Sequence, residues 1–299
     1  PWAKNRFTML FEQMKTLATT KADIFIIGGD VFDRIPTMEE LEVYYELIMS
    51  CSIPTLIYPG NHEALKKNTT FLSYLRGMTE TINPLVKIID DCYTDPTGTF
   101  DILPYNKLKD FDPKSLQSNL LFTHVRGEIP PHVKPEVDLA IFDKWDLVVA
   151  GDLHSYENSQ RNILYPGSPV TVSFHRQKVK TGVLLIDTDT LSHDWITLNL
   201  PQLLRITVGV GEETPATDFD HTVYEMQGDM SELAGVDNSE LVDRKIVRRV
   251  NDSALILSSD MSLEEEASEY LLYILTLEPT KVAEIIKELT NHGEKYNWE

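Results

Sequence analysis

Four short apolar runs, each breaking into Gly, Asp, Asn or His, constrain this chain more than any other feature. The run at 24–27 leads into Gly28-Gly29-Asp30, and the run at 55–58 into Pro59-Gly60-Asn61-His62-Glu63. The run at 120–123 meets His124, and the run at 147–150 leads into Gly151-Asp152-Leu153-His154. An apolar run of about four to eight residues that is closed by turn residues reads as a buried strand. Helical periodicity lies between the runs. Phe7, Leu10, Phe11, Met14, Leu17 and Ala18 predict an amphipathic helix over 4–19. Thr37 and Glu40 form a capping box ahead of Met38, Leu41, Tyr45, Ile48 and Met49. The segment 68–78 reads as a third helix, and 86–89, 100–103, 163–165 and 183–187 as further strands. Apolar strands alternating with helices specify an α/β architecture whose sheets are largely covered.

The texture changes near Leu200-Pro201. Strands are expected over 204–210, 222–227, 245–250 and 254–258, with a short helix over 229–235, which together read as a small second domain. From Ser262 the pattern is helical. Ser262 and Glu265 make another capping box, and Leu263, Ala267, Tyr270, Leu271, Ile274 and Leu275 form a stripe. Pro279 opens a last helix with Val282, Ile285, Ile286 and Leu289 on one face. The expected division is 1–200, 201–260 and 261–299.

Composition removes several classes. No apolar run approaches the about 20 residues of a membrane-spanning helix, so no membrane is expected as a partner. Two cysteines, Cys51 and Cys92, exclude a disulfide scaffold or a thiolate zinc cage and suit a reducing, cytoplasmic compartment. The net charge is −20, with 26 acids against 19 bases in residues 1–200 and 21 against 8 in 201–299. A chain this acidic is not a general nucleic-acid binder. Contact with DNA would need local basic patches, metal ions or a partner.

In open α/β sheets functional groups gather where strands end. The four runs deliver carboxylate, amide oxygen and imidazole there, and no thiolate, which is the donor set of harder divalent cations such as Mn²⁺. The adjacent glycines permit tight turns and close backbone approach. Each group taken alone also reads as an ordinary turn; the four in order, each after an apolar run, point to a site.

These residues resemble the motifs of the calcineurin-like metallophosphoesterases. The stretches Gly28-Gly29-Asp30-Val31-Phe32-Asp33-Arg34, Tyr58-Pro59-Gly60-Asn61-His62-Glu63 and Tyr165-Pro166-Gly167-Ser168-Pro169 look most like the SbcD-type branch. That branch comprises nuclease subunits of SbcCD (Mre/Rad) DNA repair and recombination complexes, phage-encoded members included. The resemblance implies a two-sheet sandwich in α-β-β-α layers, with a small α/β cap domain for DNA and C-terminal helices that bind the coiled coil of an SbcC-type ATPase. It implies two divalent ions, Mn²⁺ before Mg²⁺. Asp30 would bridge them, with Asn61, His124 and Asp152 on one and His154 on the other. His62 would stand by the scissile phosphate. Asp33 and Glu63 are expected to orient a histidine or, alternatively, to cap turns.

Two departures accompany the resemblance. The family opens with an Asp-x-His motif ahead of its first helix, so a segment upstream of Pro1 is expected to carry it. The family's Gly-His-x-His is Gly151-Asp152-Leu153-His154 here; Asp152 reads as a ligand exchanged for imidazole or as a mark of weakened activity. His175, Arg176, Lys178 and Lys180, and Arg244, Lys245, Arg248 and Arg249, are candidate DNA contacts, with solvated faces as the alternative. The aromatic-rich helix faces at 44–49 and 71–78 read as core, and the resemblance implies that helices of this region pair two subunits as a homodimer. The expected function is an Mn²⁺-dependent DNA nuclease, exonucleolytic on duplex ends and endonucleolytic on single strands or hairpins. Another phosphoesterase acting on small substrates, or a scaffold without activity, remains open.

Overall fold

The computed structural model describes residues 2–66, 69–214, 219–237, 239–247, 261–275 and 277–296. The chain divides into two compact units, residues 1–206 with 215–223, and residues 207–214 with 224–299.

The first unit opens with α1 (Trp2–Lys21), β1 (Phe25–Gly28), α2 (Met38–Ser50) and β2 (Thr55–Tyr58). A short hairpin of β3 (Ala64–Lys66) and β4 (Thr69–Thr70) precedes α3 (Phe71–Ile82) and β5 (Val86–Ile88). The chain continues through β6 (Tyr93–Thr94), β7 (Asp101–Leu103), β8 (Leu120–His124), β9 (Leu147–Gly151) and β10 (Ile163–Leu164), then the antiparallel pair β11 (Gly182–Ile186) and β12 (His193–Thr197). β1, β2 and β5 form a parallel sheet in the order β1-β2-β5. The second sheet runs β10-β9-β8-β7-β6, parallel except for β6.

Side chains alternate across each strand. Leu56, Tyr58, Ile102, Leu120, Phe122, Leu147 and Val149 join one buried cluster together with Ile24 and Ile26, so it is the filling between the two sheets. Ile57, between Leu56 and Tyr58, turns the other way into a cluster with Phe32, Tyr44, Ile48, Leu72, Val86 and Ile88, which seats α2 and α3 on the outer face of the first sheet. Leu121, Val148 and Ala150 face outward from the second sheet onto Leu108, Phe142 and Trp145. That outer layer is carried by short 3₁₀ turns such as Tyr105–Lys107 and Leu139–Phe142. Helix α1 packs Leu10, Phe11 and Met14 against Val170, Leu198 and Leu200.

The capping box at Thr37 is formed as expected, with the Thr37 side chain accepting from Glu40 N–H and Glu40 reaching back. The third helix begins later than its apolar pattern suggested. Thr70 caps it through Ser73 N–H, and the residues before it pair as the β3–β4 hairpin.

β13 (Leu203–Gly209) and β14 (His221–Gly228) each begin in the first unit and end in the second, and with β15 (Val242–Val247) they form a sheet in that order, β14 and β15 parallel. Helix α4 (Met230–Ala234) is capped by Asp229. Ser262 caps α5 (Leu263–Glu269), which passes into a π turn at Tyr270–Ile274, and α6 (Pro279–Tyr296) follows. Thr290 of α6 donates to Glu264 of α5 at 2.8 Å. The strand expected at 254–258 lies outside the described residues. Among the described residues no helix is long and apolar enough to cross a membrane.

Candidate metal centre

The first sheet contributes Asp30 and Asn61. β1 ends at Gly28, and the backbone turns through Gly29 at φ +84° and Asp30 at φ +51°. A non-glycine residue in the left-handed region is held there by its surroundings. Here the holder is Glu63, which is buried and accepts from Asp30 N–H at 3.0 Å, Phe32 N–H at 2.9 Å and Gly60 N–H at 2.8 Å. One carboxylate thus ties the loop after β1 to the loop after β2. Burial pushes the Glu63 pKa up against the pull of those donors. Of the two expectations for Glu63, its contacts are those of a turn cap, since three backbone N–H groups converge on its carboxylate.

The second sheet contributes His124 and Asp152. His124 closes β8 and its side chain is 1% exposed. Its Nδ1 lies 2.9 Å from the Gly28 carbonyl, and a carbonyl only accepts, so Nδ1 carries the proton. Nε2 therefore faces inward, where three oxygens surround it: Asn61 Oδ1 at 2.9 Å, Asp30 Oδ2 at 3.3 Å and Asp152 Oδ1 at 3.9 Å. Asp152 follows β9 and also adopts the left-handed region, at φ +96°. Tyr58 of β2 donates to the Thr123 carbonyl of β8 at 2.8 Å, so the two sheets are stitched together at this end.

A nitrogen lone pair ringed by oxygens is satisfied in one of two ways: by protonation or by a shared cation. The electrostatics fit both. Burial opposes charge on His124, but hydrogen bonding and charge from Asp30, with the Gly28 carbonyl and Asp152, raise its pKa overall. Burial likewise acts to raise the Asp30 pKa, and His124 and His62 bring it down overall. Ligand atoms of Asp30, His124 and Asp152 all lie within 4.8 Å of one another. With the Asn61 amide oxygen they offer two carboxylates, one amide and one imidazole, a set suited to a hard or borderline divalent cation. The backbone is shaped around it. A β-carbon at Gly60 would strike the Asp30 carboxylate and the His124 ring, and one at Gly151 would strike the same ring and the Gly28 carbonyl.

Other expected residues stand at the mouth. His62 N–H donates to Asp30 Oδ1 at 3.1 Å, and His62 Nδ1 sits 2.7 Å from the Asp33 carbonyl and 3.5 Å from its carboxylate. The bond to the Asp33 backbone raises the His62 pKa against burial. His154 is exposed and lies outside the converging group, because the turn at Asp152 sends buried Leu153 into the outer core. His175 Nε2 lies 3.2 Å from Ser173 Oγ; Arg176 and Lys180 are exposed. Lys178 pairs with Asp220 at 2.7 Å, which spends its charge locally. Lys245 on β15 donates to the Val236 carbonyl. Arg244 lies on the same strand, and Arg248 and Arg249 fall outside the described residues.

Arg126 was not anticipated. Its Nε lies 3.3 Å and its terminal nitrogen 3.5 Å from the two oxygens of Asp152. Glu136 accepts from Arg126 N–H at 3.1 Å and from the Tyr105 hydroxyl at 3.0 Å, and the Tyr105 ring packs edge-on to His124 with centroids 6.1 Å apart. The available signal was spacing: Arg126 is two residues beyond His124, on the same side of the strand's extension, while Val125 between them is core.

The calcineurin-like phosphoesterase profile matches residues 2–156. A probable exonuclease subunit 1 of Escherichia phage T5 is 40% identical over 306 residues, covering 99% of this chain and 94% of that protein. A putative phosphoesterase of Invertebrate iridescent virus 6 is 26% identical over 220 residues, 65% of this chain and 76% of that protein. Among solved structures, an archaeal phosphodiesterase aligns at 12% identity over 64% of this chain and 92% of its own, with a TM-score of 0.39.

Proposed function

Since the chain belongs to the calcineurin-like phosphoesterase family, we propose that it is the nuclease subunit of a DNA-processing complex, a divalent-metal hydrolase that cleaves DNA phosphodiesters. The observation that carries this reading is the convergence of Asp30, Asn61, His124 and Asp152 on one point at the carboxyl ends of four parallel strands. Near-full-length similarity to a phage exonuclease subunit supports DNA as the substrate.

These four residues would hold a divalent cation and His154 would serve a second one; the donor set favours Mn²⁺ or Mg²⁺. Two such ions would activate a water and would stabilise charge on the attacking and leaving oxygens. The protein's own groups do the rest. His124 is fixed by Gly28 so that Nε2 remains a ligand. His62 is fixed on Asp33 through Nδ1, which leaves Nε2 to carry a proton toward the leaving oxygen. The Asp33 backbone contact raises its pKa, the direction a general acid requires.

The name of the phage relative, a subunit, supports assembly with another chain. An SbcC-type coiled-coil ATPase seated on α5 and α6 suits their apolar stripes. A homodimer through α2 and α3 suits the exposed Met38, Met49, Tyr74 and Met78. A phage nuclease of this type would act in the host cytoplasm.

The test is cleavage by the full-length protein with its ATPase and Mn²⁺, on duplex ends, on hairpins and on small phosphodiesters. DNA cleavage that vanishes with chelator supports the reading. Faster turnover of small phosphoesters points to another phosphoesterase, and inertness on every substrate points to a scaffold.

A further inference from the structure

Arg126 is a cation lodged against a metal ligand. Its guanidinium engages both oxygens of Asp152, and no other side chain among the described residues meets that guanidinium within hydrogen-bonding range. The contact is loose. Charge-assisted N–H···O bonds run at about 2.7–2.9 Å, whereas these are 3.3 and 3.5 Å, and the Arg126 side chain is 46% exposed at the mouth of the site. Only its backbone is pinned, by Glu136, which Tyr105 holds in turn. Asp152 therefore has two competing uses, and Arg126 has one.

We propose that Arg126 is a metal-gated phosphate-binding residue. Without metal it neutralises Asp152 beside Asp30, where two carboxylates would otherwise face each other across His124. When a divalent cation takes the Asp152 oxygens, the guanidinium loses its partner, at a place where a phosphodiester group of the substrate must pass. Its planar fork then matches two phosphate oxygens. Substrate grip is thereby made conditional on a loaded centre. The inference rests on Asp152 being a metal ligand, as proposed above, and the test separates the two.

The full-length protein, its Arg126→Gln and Asp152→Asn variants and the double variant are titrated with Mn²⁺ by calorimetry. Binding of a single-stranded oligonucleotide is followed by fluorescence anisotropy with Ca²⁺ and with chelator. Releasing an exposed ion pair corresponds to about a two- to five-fold change in affinity. Arg126→Gln is expected to bind Mn²⁺ tighter by that factor, and to have no effect in the Asp152→Asn background. Oligonucleotide affinity should fall in Arg126→Gln with Ca²⁺ and stay unchanged with chelator. Weaker or unchanged Mn²⁺ binding by Arg126→Gln, while Asp152→Asn impairs it, overturns the gate and leaves the metal centre standing. Equal loss of oligonucleotide with and without Ca²⁺ overturns it too. Unimpaired Mn²⁺ binding by Asp152→Asn removes the ligand assignment and the gate together.

Discussion

The buried half of the site, His124 with its half-buried neighbours Asp30, Asn61 and Asp152, and the exposed half are built on different terms. Asp30, Asn61, His124 and Asp152 sit where two sheets meet, and each is fixed by backbone or by another member of the group. Two of the four hold left-handed backbone conformations that a loop alone would not keep. His62, Asp33 and Arg126 stand at the mouth, with Asp33 81% exposed. The difference teaches a division of labour. Groups that must be in place before any ligand arrives are preorganised by the fold, at the cost of crowded charge. Groups at the mouth are left on solvent-facing turns, where a substrate would reach them.

Substitutions sharpen that division. The largest effect is expected for Asp30→Asn. It keeps the shape of the side chain but removes the carboxylate closest to His124 Nε2, so metal-dependent cleavage should fall to background, beyond the about 10²–10⁴-fold that a proton-transfer group contributes. Metal analysis by plasma mass spectrometry should show the bound ion lost as well; an active, metal-replete Asn variant would break the account of the buried half. Next comes His62→Gln, expected to lower kcat by about 10²–10⁴-fold. Bound metal and Tm should not change, because the imidazole is half-exposed and its backbone N–H still reaches Asp30. A large drop in Tm would assign His62 to the buried half instead.

Glu63→Gln probes the brace between the loops. It leaves the ligands untouched but removes the charge that gathers three N–H groups. Metal affinity should fall about 10- to 100-fold, as for other groups that orient ligands, and calorimetry would read it. Unchanged affinity would show that the loops hold Asp30 without help. The smallest effect is expected for Thr37→Ala, at the start of α2 and away from the ligands. Loss of the cap costs about 1 kcal/mol of stability, measured by denaturant unfolding, with metal binding intact. A matching loss of metal would mean that scaffold and site are not separable.

Much of the fold and of the buried half is legible in the amino-acid sequence. β2 and β8 are marked by uninterrupted apolar runs, because strands buried on both faces have no polar side to interrupt them. The residues that converge in the buried half are legible for the same reason, since polar residues at the end of such a run need a use. What escapes follows other rules. The hairpin before α3 carries only three and two residues, too few for periodicity to register. The half-exposed sequence His193–Thr197 lacks the apolar signal of a buried strand and is held by pairing with β11. The π turn at Tyr270–Ile274 preserves a helical pattern while changing its hydrogen bonds. The sequence motif puts His154 on a second ion and gives no sign of its exposure. The left-handed turn at Asp152 and the burial of Leu153 leave it exposed. Arg126 escapes because its significance lies in a contact with a residue 26 positions away.

The central claim is that four strand ends make one cation site. Crystals of the full-length protein grown with Mn²⁺ and measured at the manganese absorption edge test it most directly. The account predicts an anomalous peak within ligating distance of Asp30, Asn61, His124 and Asp152, absent in Asp30→Asn crystals. A Mn²⁺-soaked crystal with no peak among these residues, and His124 Nε2 still bonded to Asn61, would contradict it.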